Sequence, residues 1–514
     1  LMHAVGVDHT SGTPVVAGAT ENSLKATVLA GSRGMRPLVV EEPPHAIAED
    51  YAGKGEKRQV LPPRVSEATA REIIERIRKA KRPVLNAGNG IRIAGAHESF
   101  MEVADRLGIP VVTGWNSQDC IWDEHPLYVG RAGNMGDRPG NFAIQNSDLV
   151  FSVGSRLSIR QVGYNYETWA REAYVIYSDV DEEELKKPSV HADMRVHADA
   201  KDLLEAICRV LRDEYPQSAV CGAGSQAGGP VFEGGEGLPG MSWNETCRMW
   251  KERYPVIRPE HLQPDSTKEA NVYAFVKELS SRLEEGQITV VGNGSACVAG
   301  GHSYVIKKGQ RFISNSAIAA MGYDLPAAIG VCQAVKEDGR EDAGAPSAGR
   351  QEKYRQEVIL LTGDGSIQMN LQELQTIVHH QMPIKIFVIN NGGYHSIRQT
   401  QKNYFGEPLV GIGVDSHDLS FPDMGKLAQA YGLPYVAAHH NEELAAAVEN
   451  TLSLKGPAIC EAFVTLEQNF EPKSAAKRLP DGSMVSPPLE DLSPFLPEEE
   501  MDAMMIIPRI EEPI

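Results

Sequence analysis

Residues 358–391 constrain this chain more than any other stretch. The apolar run Val358-Ile359-Leu360-Leu361 reads as a strand buried on both faces, and it ends at Gly363-Asp364-Gly365. Leu371, Leu374, Ile377 and Val378 then recur at helical spacing. Pro383 stops that helix, and Ile384 to Ile389 form a second strand ending at Asn390-Asn391. Strand, helix and strand make one βαβ unit of a parallel sheet. Open α/β sheets bind ligands at the carboxyl ends of their strands, and here those ends carry acidic and amide oxygens. Asp364 and Asn391 are expected side by side on adjacent strand tips. A hard cation such as Mg²⁺ takes a carboxylate, an amide oxygen, a backbone carbonyl, and phosphate or water oxygens. The N–H groups of Gly365 and Ser366, expected at a helix start, suit a diphosphate. A Gly-Asp-Gly turn alone is commonplace; the pattern with donors at both strand ends is specific.

The 514 residues are 42% hydrophobic, enough for two or three domain cores. A net charge of −19 argues against nucleic acid or an anionic membrane as partner and favours plain solubility. No apolar run approaches the roughly 20 residues of a membrane helix. Cys120, Cys208, Cys221, Cys247, Cys297, Cys332 and Cys460 show no CxxC spacing, which fits reduced thiols in a cytoplasmic protein. The chain opens at Leu1 without a signal peptide.

Five segments follow from the pattern. Residues 1–62 read as the end of a preceding domain plus a linker, with a helix over 24–33 and a strand over 36–41. Residues 63–211 alternate strands (83–86, 110–112, 149–153 and 174–177) with helices, which predicts a parallel sheet. Residues 212–267 are Gly/Pro-rich and read as a linker with one short helix near Trp243 to Tyr254. Residues 268–467 form a second α/β domain holding the βαβ unit, with a polar insert at 337–356 read as a mobile loop. Residues 468–514 are Pro-rich and acidic, with Glu498-Glu499-Glu500 in a solvated run; this tail is expected to wrap the surface or stay disordered.

The Asp364–Asn391 pattern resembles the thiamine diphosphate enzymes. Met321-Gly322-Tyr323-Asp324-Leu325-Pro326-Ala327-Ala328-Ile329-Gly330 resembles their MGxGLPAAIG segment, with Asp324 where the family has glycine. The closest likeness is to the acetolactate (acetohydroxyacid) synthase large subunits. The resemblance implies successive Rossmann-like α/β domains: a central domain, a diphosphate-binding domain, and a first domain mostly absent from this chain. It assigns Met321 to hold the cofactor bent. Gly294, Ser295 and Ala296, within Val291 to Cys297, would hold the diphosphate together with Gly363, Asp364, Gly365 and Ser366. Mg²⁺ would be held by Asp364, Asn391 and the carbonyl of Gly393. His395, near the site, either assists proton transfer or is a structural hydrogen-bonding histidine.

The central domain's counterparts bind FAD, ADP or nothing. By resemblance, Gly88, Gly90, Arg156, Arg160, Asp179 and Asp199 are the candidates for an FAD site, against an empty domain as the alternative. The family's first domain carries a glutamate that activates the cofactor, and no HExxA-like segment precedes residue 24 here; Glu21 reads more simply as a helix cap. The implied function is thiamine diphosphate- and Mg²⁺-dependent decarboxylation and carboligation of 2-oxo acids, pyruvate to acetolactate, in a homodimer or homotetramer. Two alternatives stand beside it. One is a non-catalytic or split-enzyme subunit whose partner supplies the glutamate. The other is a related lyase with a different 2-oxo acid or aldehyde substrate, because Thr400 stands where the synthases usually carry tryptophan.

Overall fold

The computed structural model describes residues 62–216, 229–232, 234–342, 357–478 and 484–510. The helix and strand expected over 24–41, Glu21 and Cys221 lie outside the described residues. Two compact units emerge, one built from 61–256 with 471–514 and the other holding 257–470.

The central unit is a parallel six-stranded sheet: β1 (Pro83–Ala87), β2 (Val111–Thr113), β3 (Tyr128–Arg131), β4 (Leu149–Val153), β5 (Tyr174–Asp179) and β6 (Met194–His197). Its order is β3-β2-β1-β4-β5-β6, the doubly wound order whose switch point falls between β1 and β4. Every residue of β1 and β4 is buried, as expected of strands covered on both faces. The helix Glu67–Lys79 starts at Ser66, whose side chain accepts from the Thr69 N–H, and it buries Ala70, Ile73, Ile74 and Ile77 along one stripe.

The structure differs from the sequence expectation at both outer segments of this unit. Trp243 and Trp250, on the helix Trp243–Arg253, are fully buried and meet edge-on at 5.7 Å. The helix inside the expected linker is therefore part of the domain core. In the C-terminal segment, Leu489, Met501 and Met504 join the same core. Glu498, Glu499 and Glu500 form the first turn of the helix Glu498–Met504, and Glu500 accepts from Arg253 and Tyr254. Apolar residues scattered among prolines and glutamates show no period in sequence, which is why a packed segment reads there as a solvated one.

The second unit has its own parallel sheet: β7 (Ile288–Val291), β8 (Arg311–Ser314), β9 (Val358–Gly363), β10 (Ile384–Asn390), β11 (Tyr435–Ala438) and β12 (Ala458–Phe463). The order β11-β12-β10-β9-β7-β8 places its switch point between β7 and β9. β9 pairs with β10 from Val358↔Ile384 to Gly363↔Ile389, so the tips of the predicted βαβ unit are neighbours. The connection departs from one continuous helix: a 3-10 turn, Ile367–Asn370, precedes the short helix Glu373–His379. The helix Asp324–Asp342 runs through the first six residues of the expected mobile insert, whose remainder lies outside the described residues. Six cysteines among the described residues are buried and form no disulfide.

If residues 243–253 are core, Trp250→Ala costs about 3–5 kcal/mol, measured by denaturant unfolding. A cost below about 1 kcal/mol would return the segment to the role of a linker.

Candidate functional site

The site in the second unit stands at the carboxyl ends of β7, β9 and β10, around the switch point. Asp364 follows β9 and is almost wholly buried. Its Oδ1 accepts from the Gly365 N–H at 2.8 Å and its Oδ2 from the Gly393 N–H at 2.9 Å. Burial, reinforced by the charge of Glu461, pushes this carboxyl up to about 7 against the pull of the two N–H groups and Arg398. A divalent cation at the same spot would favour the ionised form.

Asn391 follows β10 and donates through Nδ2 to Ser295 Oγ at 2.6 Å, bringing the β7 and β10 loops together. Gly393 has φ 138° and no space for a side chain, because the Ile412 carbonyl lies where a Cβ would stand. Its carbonyl also accepts from the His395 N–H at 3.1 Å, which leaves a second lone pair for a cation. One carboxylate, one amide and one carbonyl form an oxygen donor set suited to Mg²⁺. Among the described residues no cluster of three His, Cys, Asp or Glu offers a rival site.

Gly294 caps the nine-residue helix Ser295–Ser303 with φ 69° and open space around it. No side chain caps this helix, so its first N–H groups suit a phosphate. Ser295 and Ala296, in its first turn, are buried. The expectation for Gly365 changes: its N–H serves the Asp364 carboxylate, and the turn after it is 3-10, so the helix beside Gly294 is the better anion cradle. Ser366 instead accepts from the Gly322 N–H at 3.0 Å through Oγ, and Asn370 Nδ2 donates to the Gly322 carbonyl at 2.7 Å. The turn carrying Met321 is thereby tied to the loop after β9. Met321 itself is 46% exposed. Thr400 is also exposed, one turn beyond Ser396, whose carbonyl accepts its hydroxyl.

Three contributors have no signature in the sequence. Arg398 is almost fully buried on the helix His395–Tyr404. It donates to the carbonyls of Asn391 and Gly392, each at 3.2 Å, and makes a forked ion pair with Asp415 at 2.9–3.1 Å. Burial opposes ionisation of Asp415, yet the Arg398 contacts hold it below the usual carboxylate range. Glu461 accepts from Asn390 Nδ2 at 2.7 Å and bonds Tyr435. An arginine in a polar helix reads as solvated, and the fold alone turns it inward. His395 has Nδ1 beside Arg398 at 3.2 Å and Nε2 at 3.3 Å from the Gln468 carbonyl. Burial lowers its pKa, and both nitrogens face partners within the protein.

Five of the six residues expected around FAD in the central unit have partners within the protein. Gly88 and Gly90 stand at the switch point, where their N–H groups donate to the carbonyls of Val153 and Gly154, both at 2.9 Å. A Cβ on Gly88 would overlap the Gly154 backbone, so this glycine serves loop-on-loop packing. Those two N–H groups are not available to a pyrophosphate. Arg156 pairs with Glu184 at 2.6 Å, and Arg160 is exposed. Asp179, raised in pKa by burial, accepts from the Asp181 N–H at 3.0 Å. Asp199 caps the helix Ala200–Glu214 by accepting from Lys201 and Asp202.

Comparison with known proteins bears on both units. The model of the thiamine pyrophosphate enzyme central domain matches residues 70–207, and that of the C-terminal TPP-binding domain matches 292–462. The probable acetolactate synthase large subunit of Methanococcus aeolicus is 27% identical over 424 residues, 81% of this chain and 62% of that protein. The acetolactate synthase large subunit of Pyropia yezoensis is 26% identical over 401 residues, 78% of this chain and 60% of that protein. The acetolactate synthase isozyme 3 large subunit of Escherichia coli (strain K12) is 28% identical over 374 residues, 73% and 57% of the two chains. The chain thus spans less than two thirds of the length of these relatives.

Arg398→Ala leaves Asp415 and two loop carbonyls without their partner, and is expected to cost about 2–3 kcal/mol. Arg398→Lys keeps the charge, loses the fork and falls between the two. Thermal unfolding checks both, and a Tm unchanged in Arg398→Ala would show that the pair is idle.

Proposed function

We propose, from the premise that the chain belongs to the thiamine pyrophosphate enzyme family through its central and C-terminal domains, that its second unit grips Mg²⁺ and thiamine diphosphate for acetolactate-synthase-like conversion of 2-oxo acids. The observation that carries this reading is the convergence of three strand tips on one point: Asp364 after β9, Asn391 and Gly393 after β10, and the uncapped helix at Gly294 after β7. When bound, thiamine diphosphate supplies the carbon nucleophile that takes up a 2-oxo acid and releases CO₂. Asp364, Asn391 and the Gly393 carbonyl hold the cation. The N–H groups of the helix at Gly294, with Ser295, receive the diphosphate. The Met321 turn, tied to Ser366 and Asn370, would support the bound cofactor.

The relatives named acetolactate synthase support pyruvate as donor. Thr400 in place of the synthases' tryptophan supports a wider or different acceptor. The chemistry also calls for an acid at the aminopyrimidine end of the cofactor. Ile318 and Met369, exposed like Met321, make an apolar face around the Met321 turn, which supports a second subunit closing over it. A separate partner chain, or a preceding domain of a longer form of this protein, would bring that acid.

Calorimetric titration of thiamine diphosphate in the presence of Mg²⁺ tests the grip. The wild-type chain is expected to bind, EDTA to abolish binding, and Asp364→Ala to weaken it at least about a hundredfold, which is about 2.7 kcal/mol. No binding by the wild type, or unchanged binding by Asp364→Ala, overturns the reading. A panel of 2-oxo acids then reads the donor: CO₂ release greatest from pyruvate supports acetolactate synthesis.

A further inference from the structure

Asp324 stands where the resembling segment has glycine, and the site as described gives it no role. It is the first residue of the helix Asp324–Asp342 and has no exposed surface. Its Oδ2 accepts from the hydroxyl of Thr362, the penultimate residue of β9. Its Oδ1 is buried without a hydrogen-bond partner. The carboxylate fills the space where a Cβ of Gly292 would stand, at the end of β7. That explains why residue 292 is glycine: a side chain there and a carboxylate at 324 exclude one another.

Three loops meet around this one side chain. The loop after β7 runs from Gly292 to Gly294 and is also held to the 320–322 turn, because Asn293 Nδ2 donates to the Ala320 carbonyl at 2.6 Å. The 320–322 turn leads into Asp324 and bonds Ser366 through the Gly322 N–H. The loop after β9 begins at Asp364, two residues beyond Thr362 in the strand. The Gly292 N–H donates to the Leu361 carbonyl at 2.8 Å, so the first and third loops are already neighbours. These are the loops assigned above to the diphosphate, to the bend and to the cation. A buried carboxylate that takes its close hydrogen bond from the Thr362 hydroxyl, with the Ser366 hydroxyl and the Asp324 and Leu325 N–H groups also acting on it, is a costly way to fill a gap, since an apolar side chain would carry no desolvation penalty.

We propose that Asp324 is a positioning residue for the cofactor site, whose carboxylate locks the loops 292–294, 320–322 and 364–366 at one spacing through Thr362 and the gap at Gly292. This rests on the thiamine diphosphate reading. The lock acts on binding geometry, so its removal shifts the cofactor's dissociation constant as well as the apoprotein's Tm.

The test uses the full chain and four proteins: wild type, Asp324→Ala, Asp324→Asn and Thr362→Val. The dissociation constant for thiamine diphosphate with Mg²⁺ is read by calorimetry, the near-ultraviolet circular dichroism of the bound cofactor gives its conformation, and apoprotein Tm is measured beside them. Asp324→Ala is expected to bind about tenfold more weakly with an altered dichroism band. Asp324→Asn keeps an acceptor for Thr362 and is expected to stay within about threefold of wild type. Thr362→Val removes the donor and is expected to weaken binding about fivefold. A dissociation constant for Asp324→Ala within twofold of wild type overturns the inference whatever its Tm, and so does a loss in Asp324→Asn equal to that in Asp324→Ala. Should Asp324→Ala fail to fold, Thr362→Val decides, and unchanged binding there overturns the inference. Wild-type chain that binds no thiamine diphosphate overturns the functional reading itself, an outcome distinct from binding that ignores Asp324.

Discussion

A carboxylate taken out of water is the constraint around which the second unit is organised. Asp364 is buried at the tip of a central strand, and two glycine N–H groups answer it directly. Neither donor has room for a side chain. A Cβ on Gly365 would enter the Tyr394 ring, and one on Gly393 would enter the Ile412 carbonyl. Two N–H groups do not restore the hydration of an ionised carboxylate, and the raised pKa records the deficit. A cation with its own charge and oxygen affinity is the natural complement.

The charges around that point divide the work. Glu461 adds negative charge, and Arg398 adds a positive charge that Asp415 balances at the rim. Arg398 is more than a counter-charge, because its guanidinium grips the carbonyls of Asn391 and Gly392 and so fixes the loop that presents Gly393. A lysine has one donor cluster on a flexible stem and cannot hold an aspartate and two carbonyls in a plane. Rigid support of the residues that meet the ligand is what separates a binding site from a set of suitable side chains.

The two sheets put their switch points to different uses. Between β7 and β9 the chain ends leave Gly294 in open space before an uncapped helix. Between β1 and β4 the loops close on each other, with Gly88 and Gly90 bonded to Val153 and Gly154. Glycine is required at both, for opposite reasons: to leave space in one and to let two backbones touch in the other. A glycine pattern in sequence does not distinguish these cases.

Much was legible in the chain itself. The continuous apolar run of β9 specified a buried parallel strand, since a strand covered on both faces shows no alternation, and the strands of the central unit were legible from their alternation with helices. The spacing of Asp364 and Asn391 around one βαβ unit placed them on adjacent tips, and their oxygens set the class of cation. Those are local facts, carried by period and by residue type. The tertiary structure alone decided the partners that lie far apart along the chain: Asn391 with Ser295, 96 residues away, Thr362 with Asp324, 38 away, and Arg398 with Asp415, 17 away. It also decided that Asp199 caps a helix and that Trp250 and Met504 belong to one core. No period links such residues, because their contacts depend on how sheet and helices stack; burial and hydrogen-bond geometry assign them their roles only once the chain is folded.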